Sequence, residues 1–339
     1  MSVADFMAAC LTDPDHGYYM ADDPLGVSGD FTTAPEISQM FGELLGLSLA
    51  EAWRAAGAPE RIVLAELGPG RGTLMADLMR ATRAVRGFHA AAEIVLVDVS
   101  PQLRAAQANA LKAYSPSWVD TIEALPEGAT YLIANEFFDA LPIRQFRRSE
   151  AGWEEIVIGL SGGTLMRGHT APVRMADLEH RWSDTRPGDI VETNASARAA
   201  ANTIARRVAA HGGAALIIDY GDWRALGDTL QAMRHHAPAD PLAEPGLADL
   251  TAHVDFEVLA QAAIAAGATH SRLTPQGVFL ERLGITARAQ ALAKGLTGPA
   301  LEAHIAAHRR LTHPSEMGTL FKVMSIHAAD SPPPPGLEP

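Results

Sequence analysis

The stretch Glu66-Leu67-Gly68-Pro69-Gly70-Arg71-Gly72-Thr73 carries the clearest chemistry in the chain: an acid and three alternate glycines, directly after the apolar run Ile62-Val63-Leu64-Ala65. Glycines permit a tight turn from strand to helix and let backbone approach a ligand that a Cβ would hold away. A phosphate-binding loop of the nucleotide hydrolases needs Gly-Lys followed by Ser or Thr, and no lysine is present here. A dinucleotide site expects Gly-x-Gly-x-x-Gly under a pyrophosphate, whereas Thr73 takes the last glycine's place, so the pattern leans away from NAD without excluding it. The carboxylate of Glu66 would repel a pyrophosphate but suits the ammonium of S-adenosylmethionine, directly or through water. On this reading Glu66, Gly68, Gly70, Gly72 and Thr73 form the cofactor loop.

A second acid, Asp98, ends the run Ile94-Val95-Leu96-Val97, where its carboxylate can accept both hydroxyls of a ribose. It lies 32 residues beyond Glu66, farther than the compact fingerprint allows, and the excess fits a longer first helix plus a loop from Arg86 to Ala92. The competing role for Asp98 is to cap the helix that starts at Pro101.

These residues need an alternation of strands and helices to position them, the signature of a parallel sheet with crossover helices. Strands are expected at 62–65, 94–97, 118–119, 131–134 and 214–218, with helices at 73–85, 101–112 and 195–210. Thr33 and Glu36 fit a capping box at the start of a helix running to about Ala56. Alternating polarity from Trp153 to Leu160, then Gly162-Gly163, marks 144–190 as a β-rich insertion. Residues 227–249 read as a proline-bearing loop, followed by a helix at 254–266, helices between 278 and 310, and a last strand at 319–326. The expected organisation is therefore an N-terminal helical or lid segment (1–56), a core (57–143 and 191–326) with helical additions at 278–310, and the insertion. Four consecutive prolines make 331–339 an expected disordered tail.

Composition bounds the partners. A formal charge of −13 over 339 residues argues against a broad basic face for nucleic acid, and no apolar run is long enough to cross a bilayer. One cysteine, Cys10, excludes an intramolecular disulfide and a zinc site built on several thiolates. His235-His236 has no companion at metal-ligand spacing, so no metal is expected. The start, Met1 to Leu11, lacks the basic then apolar pattern of a secretory signal, which makes the cytoplasm the default location.

The chain resembles the MidA family of methyltransferases from about Asp13 to Met324. The matching blocks are Asp30-Phe31-Thr32-Thr33-Ala34-Pro35-Glu36-Ile37-Ser38-Gln39, the loop from Glu66 to Thr73, Val97-Asp98-Val99-Ser100-Pro101 and Asn135-Glu136-Phe137-Phe138-Asp139-Ala140-Leu141-Pro142. Further blocks are Ile218-Asp219-Tyr220-Gly221, Asp249 to Phe256, and Glu316 to Val323. Asp98 stands where members commonly carry glutamate, which preserves the carboxylate. The resemblance implies a class I, Rossmann-like doubly wound α/β fold, S-adenosylmethionine as cofactor, and methylation of a protein arginine, with a respiratory complex I core subunit as the target of mitochondrial members. Eukaryotic relatives would work in the mitochondrial matrix. An assembly chaperone using the cofactor structurally, or a nicotinamide-dependent oxidoreductase, are the alternatives.

If the acceptor is arginine, its always-protonated guanidinium calls for carboxylates that hold its fork. Glu136 and Asp139, after the fourth strand, are the expected clamp, with Asn135 orienting cofactor or acceptor; the competing role of the two acids is helix capping. His253, near Asp255, is the candidate proton acceptor. Glu36 is the candidate third acid toward the substrate.

Overall fold

The computed structural model describes residues 1–20 and 33–339. The first residues of the block at 30–39, Asp30-Phe31-Thr32, lie outside the described residues. Contacts group the chain into two compact units: Met1–Phe31 with Asp139–Arg198 and Asp222–Asp255, and Thr32–Phe138 with Ala199–Gly221 and Phe256–Pro339. The grouping departs from the sequence boundaries, because residues 1–20 share their core with the β-rich part whereas 33–56 pack on the sheet of the other unit.

In the smaller unit, α1 (Val3–Thr12) opens with a capping box in which Ser2 Oγ accepts the Asp5 N–H (3.1 Å) and the Asp5 carboxylate accepts the Ser2 N–H (3.2 Å). Its apolar stripe of Val3, Phe6, Met7, Cys10 and Leu11 is buried with Ile156, Ile158, Leu230 and Leu250. A four-stranded antiparallel sheet runs in the order Thr164–His169, Trp153–Ser161, Arg144–Arg148, Ile190–Thr193. The supposed loop at 227–249 instead contributes a second antiparallel sheet, with Gln231–Arg234 between Ala237–Ala239 and Asp249–Thr251. Its hairpin turn is His235-His236, both at positive φ (50° and 60°). Asn-Gly or Asp-Gly is the sequence mark of such a turn, so two histidines concealed it.

The larger unit is built on a mostly parallel sheet. Strands β1 (Ile62–Leu67), β2 (Ala92–Val97), β3 (Ser117–Val119) and β4 (Ala129–Asn135) are joined by Gly213–Asp222, Ala268–His270 and Phe321–Ala328. Across the sheet the order is Ala268–His270, Phe321–Ala328, Gly213–Asp222, β4, β1, β2, β3. The last five run parallel and the first two add antiparallel pairings, the doubly wound architecture expected from the alternation. β1 is buried along its whole length, as a central parallel strand covered on both faces must be. The chain leaves β1 first toward β2 and later returns to β4 on the other side, which makes the carboxyl ends of β1 and β4 the switch point of the sheet.

The helix expected from Thr33 to Ala56 is interrupted. Ser38 takes extended backbone (φ −161°, ψ 134°) and its hydroxyl caps the second piece, so α2 (Ala34–Ile37) is separate from α3 (Gln39–Ala55). Gly42 and Gly46 lie one turn apart on α3 and face α4 (Thr73–Thr82): a Cβ on Gly46 would come within 2.7 Å of Leu78 Cγ, and one on Gly42 within 2.9 Å of Leu74 O. Removing both Cβ atoms lets the helices close on each other, and this contact seats the amino end of α4.

The tail at 331–339 is docked, not disordered. Leu337 enters the main core, Ser48 Oγ donates to Pro335 O (2.8 Å), the Arg272 N–H donates to Glu338 O (2.8 Å), and Arg282 bridges Glu338 (2.7 Å). Proline runs cannot form helix or interior strand, but an extended segment with one apolar anchor can still pack against a core. Leu337→Ala is expected to lower the unfolding free energy by about 2 kcal/mol, measured as an earlier urea midpoint at unchanged slope. An unmoved midpoint would mean the tail contributes nothing to the fold.

Candidate active site

Glu66 sits one residue before the end of β1, 3% exposed, with Cα partners Leu96 on β2 and Ile133 on β4. The Met75 N–H donates to its carboxyl, while Oε2 has no partner. Burial outweighs that single hydrogen bond and pushes the carboxyl up to about 8. A buried acid oxygen left unsatisfied costs on the order of 1–3 kcal/mol.

The glycines beside it are at positive φ: 57° at Gly68, 53° at Gly70 and 82° at Gly72. Gly68 and Gly72 are also sterically confined, since an added Cβ would stand 3.2 Å from the Phe137 ring and 3.3 Å from Gln107 Cα. The Gly68 N–H donates to Val97 O (3.0 Å), which ties the loop to the end of β2, and Gly72 in the left-handed conformation starts α4. The result is a cradle of bare backbone beside a buried acid.

Asp98 follows β2. Its Oδ1 accepts the Ser100 N–H (2.9 Å) and its Oδ2 accepts the Gln107 side-chain amide (2.6 Å). Burial raises its carboxyl above the usual range against the pull of those donors. The helix beginning at Pro101 is capped by Ser100, whose Oγ faces the Leu103 N–H (3.4 Å), not by the Asp98 side chain. Gln107 is the residue that sequence reasoning missed. Fully buried on α6 (Pro101–Ala110, which follows the short α5, Phe88–Ala91), it donates to both Asp98 and Gly70 O (2.8 Å) and accepts from Trp118 Nε1 (2.7 Å). One amide thereby holds the glycine loop and the second acid in register. A single glutamine inside an ordinary helix gave no motif to find.

Across the switch point, Asn135 ends β4 and Glu136 follows in a left-handed conformation (φ 51°), sparsely populated for a residue with a Cβ. The Glu136 N–H donates to Ile218 O (2.9 Å), and its Oε1 accepts from Asn135 Nδ2 (3.0 Å) and from the Ala34 N–H (3.2 Å). Asn135 Oδ1 is buried without a partner. The Phe138 N–H donates to the buried Asp219 carboxylate (3.0 Å). Among the described residues no helix lies between β4 and the strand Arg144–Arg148, so Glu136 and Asp139 have no helix to cap here. Phe138 is core; Phe137 meets it edge-on (5.4 Å) and borders Gly68.

Glu36 does not close a capping box with Thr33, which makes no side-chain cap. Its Oε1 accepts the Thr73 hydroxyl (2.6 Å). The short helix α2 is thus tied to the glycine loop through Glu36 and to the β4 loop through the Ala34 N–H. The larger unit therefore brings together Glu66, the three glycines, Thr73, Asp98, Asn135, Glu136 and Glu36. Asp139 and His253 belong to the smaller unit, where Asp139 O accepts the Ala252 N–H (2.9 Å) and the His253 N–H donates to Thr229 Oγ1 (2.9 Å).

Residues 44–274 match the model of a family described as "Putative S-adenosyl-L-methionine-dependent methyltransferase". The mitochondrial protein arginine methyltransferase NDUFAF7 of Danio rerio is 38% identical over 96% of this chain and 83% of its own length. The Homo sapiens protein of that name is 34% identical over 96% of this chain and 80% of its own length. A crystal structure of a Burkholderia thailandensis protein with S-adenosyl-homocysteine bound superposes with a TM-score of 0.84 at 31% identity, covering 96% of this chain and 87% of that one. An acid with an unsatisfied oxygen beside three left-handed glycines fits the amino-acid end of that cofactor class. The chain belongs to this family of S-adenosylmethionine-dependent methyltransferases, which takes S-adenosylmethionine as its cofactor.

Proposed function

We propose that this protein transfers a methyl group to the guanidinium of an arginine in a protein substrate. The cofactor half of the reading rests chiefly on the buried, half-satisfied Glu66 carboxyl beside the glycine cradle. The acceptor half rests on relatives named as protein arginine methyltransferases across 96% of the chain. A respiratory complex I subunit as client, and a cytoplasmic location for this chain, complete the reading; the family resemblance supports the first and the lone buried Cys10 suits the second.

In this assignment Glu66 receives the cofactor's ammonium, and Gly68, Gly70 and Gly72 offer backbone where side chains would collide. Asp98 takes the ribose hydroxyls and Asn135 orients the bound ligand through its unpartnered Oδ1. Gln107 and Thr73 act indirectly, the first by positioning Asp98 and Gly70, the second by anchoring Glu36. The cofactor, when bound, supplies an electrophilic methyl on a sulfonium; the protein's task is to align the nucleophile and exclude water. Glu136, already held by two donors and at a strained φ, localises the guanidinium charge so that one nitrogen is free to attack. Asp139 and His253 are assigned to guanidinium contact and proton acceptance, and Glu36 to substrate contact.

Cofactor binding is expected to be proton-linked. Glu66 is largely protonated in the free protein at pH 7, and pairing with an ammonium requires the carboxylate, so affinity should rise as pH goes from 6.5 to 8 by up to about tenfold per unit. Titration calorimetry in buffers of different ionisation heat should show close to one proton released at pH 7; Glu66→Gln should bind weakly and without that release. For the free protein the sign is opposite: a carboxyl raised in the folded state binds more protons than in the unfolded chain between about 4.5 and 8, so stability falls as pH rises through that window. A pH-independent Kd would remove Glu66 from the ammonium site.

Transfer itself is tested with labelled S-adenosylmethionine and candidate complex I proteins, followed by peptide mapping. Label should reside on arginine, and Glu136→Gln should lower kcat by about 10²-fold while leaving cofactor Kd within about twofold. Label on another residue type would overturn the acceptor assignment, and Asp139→Asn or His253→Ala with unchanged kcat/KM would remove that residue from it.

A further inference from the structure

Glutamine is an unexpected residue on the inward face of α6. Leu103, Gln107 and Leu111 stand four residues apart along one face and are all buried, yet Gln107 shows no exposed surface at all where a leucine would need no partners. Burying an amide is costly unless its polar atoms are hydrogen-bonded. Both atoms are satisfied here: Nε2 donates to Gly70 O (2.8 Å) and to Asp98 Oδ2 (2.6 Å), and Oε1 accepts from Trp118 Nε1 (2.7 Å). The backbone of the glycine turn closes on the same place, since a Cβ on Gly72 would stand 3.3 Å from Gln107 Cα.

The three partners pull on the amide from two sides. Gly70 and Asp98 take its two N–H groups, and neither of them can satisfy the oxygen. The indole N–H only donates, so it suits the oxygen and no other atom of the amide. With that third point the plane of the group is fixed, and without it Oε1 would be buried and unsatisfied unless the side chain turned away from the loop. Trp118 reaches it from β3, where it is the register partner of Leu96, two residues before Asp98 on the neighbouring strand. The remainder of the indole is half-buried against the main core.

We propose that Trp118 is a positioning residue for the cofactor: through Gln107 it holds the Gly70 peptide and the Asp98 carboxylate in place, and so sets the preference for a ligand with free ribose hydroxyls. This role rests on the reading of Asp98 as the ribose acid. One oxygen of that acid is fixed by its own chain, through the Ser100 N–H (2.9 Å), and the other by Gln107. Each oxygen keeps a lone pair for a hydroxyl. Releasing Oδ2 lets the carboxylate turn, and hydrogen bonds weaken steeply with misalignment. The same release frees Gly70 O, so the amino-acid end of the ligand loses its fixed cradle along with the ribose end.

The test is titration calorimetry of the full chain with S-adenosylhomocysteine and with its 2′-deoxyribose analogue. Trp118→Phe keeps a ring against the core and deletes the donor; Gln107→Leu keeps the buried face of α6 and deletes the amide. The parent should prefer S-adenosylhomocysteine by about tenfold. Trp118→Phe should weaken its binding about fivefold and Gln107→Leu about tenfold, with the analogue affected less, so that the preference shrinks in both. The double variant should bind no more weakly than Gln107→Leu alone, because the indole acts only through the amide. Should Trp118→Phe fail to fold, 3-benzothienylalanine in place of Trp118 keeps the shape of the indole without its N–H and permits the same comparison. Losses that add in full would show Trp118 acting by some other route and overturn the proposal, as would variants that keep the parent's affinity and preference. A parent that binds the two ligands equally would instead take the ribose away from Asp98 and sink the underlying reading.

Discussion

A carboxyl buried at the tip of the central strand is the constraint on which the larger unit turns. Glu66 must stay dry, because it lies between β2 and β4, yet keep an oxygen available, and both demands fall on the few residues that follow it. Only glycines can turn the chain away that sharply while leaving the acid accessible to a ligand. The rest of the arrangement serves that turn. The bare face of α3 at Gly42 and Gly46 brings α4 in close, and Gln107 pins the loop to Asp98. The β4 loop closes the other side with a residue in an unfavourable backbone conformation, held there by hydrogen bonds from Ala34 and Asn135.

The two units divide the chemistry. The larger one holds every residue assigned to the cofactor and has almost balanced charge; the smaller one is antiparallel, acidic, and carries Asp139 and His253. Such a division suits an enzyme whose cofactor is constant and whose client is a protein. The parallel sheet supplies rigid strand ends, where a small displacement would be costly to transfer, while a separate unit with its own core can vary its surface without disturbing them.

Much of the core was legible in the residues. Short apolar runs such as 62–65 and 94–97, bounded by turn residues and alternating with helical patterns, read as strands covered on both faces, and glycines at alternate positions after an acid leave few conformations to choose from. Legibility ended where local signals were absent or misleading. His235-His236 makes a hairpin turn that glycine or asparagine would have announced, and Ser38 breaks a helix whose apolar spacing runs on across it. The proline tail looked solvated because the anchoring residue, Leu337, is a single leucine at the end of a run that cannot fold by itself.

The sequence by itself determined the class of sheet, through the alternation of strand and helix patterns, and the glycine turn after Glu66, which is encoded within a few consecutive residues. Only the tertiary structure decided that Gln107 joins Gly70 to Asp98, that Glu36 meets Thr73 37 residues away, and that residues 1–20 belong with 222–255. Those pairings are set by which helix packs on which strand, a property of the whole core that no local spacing records.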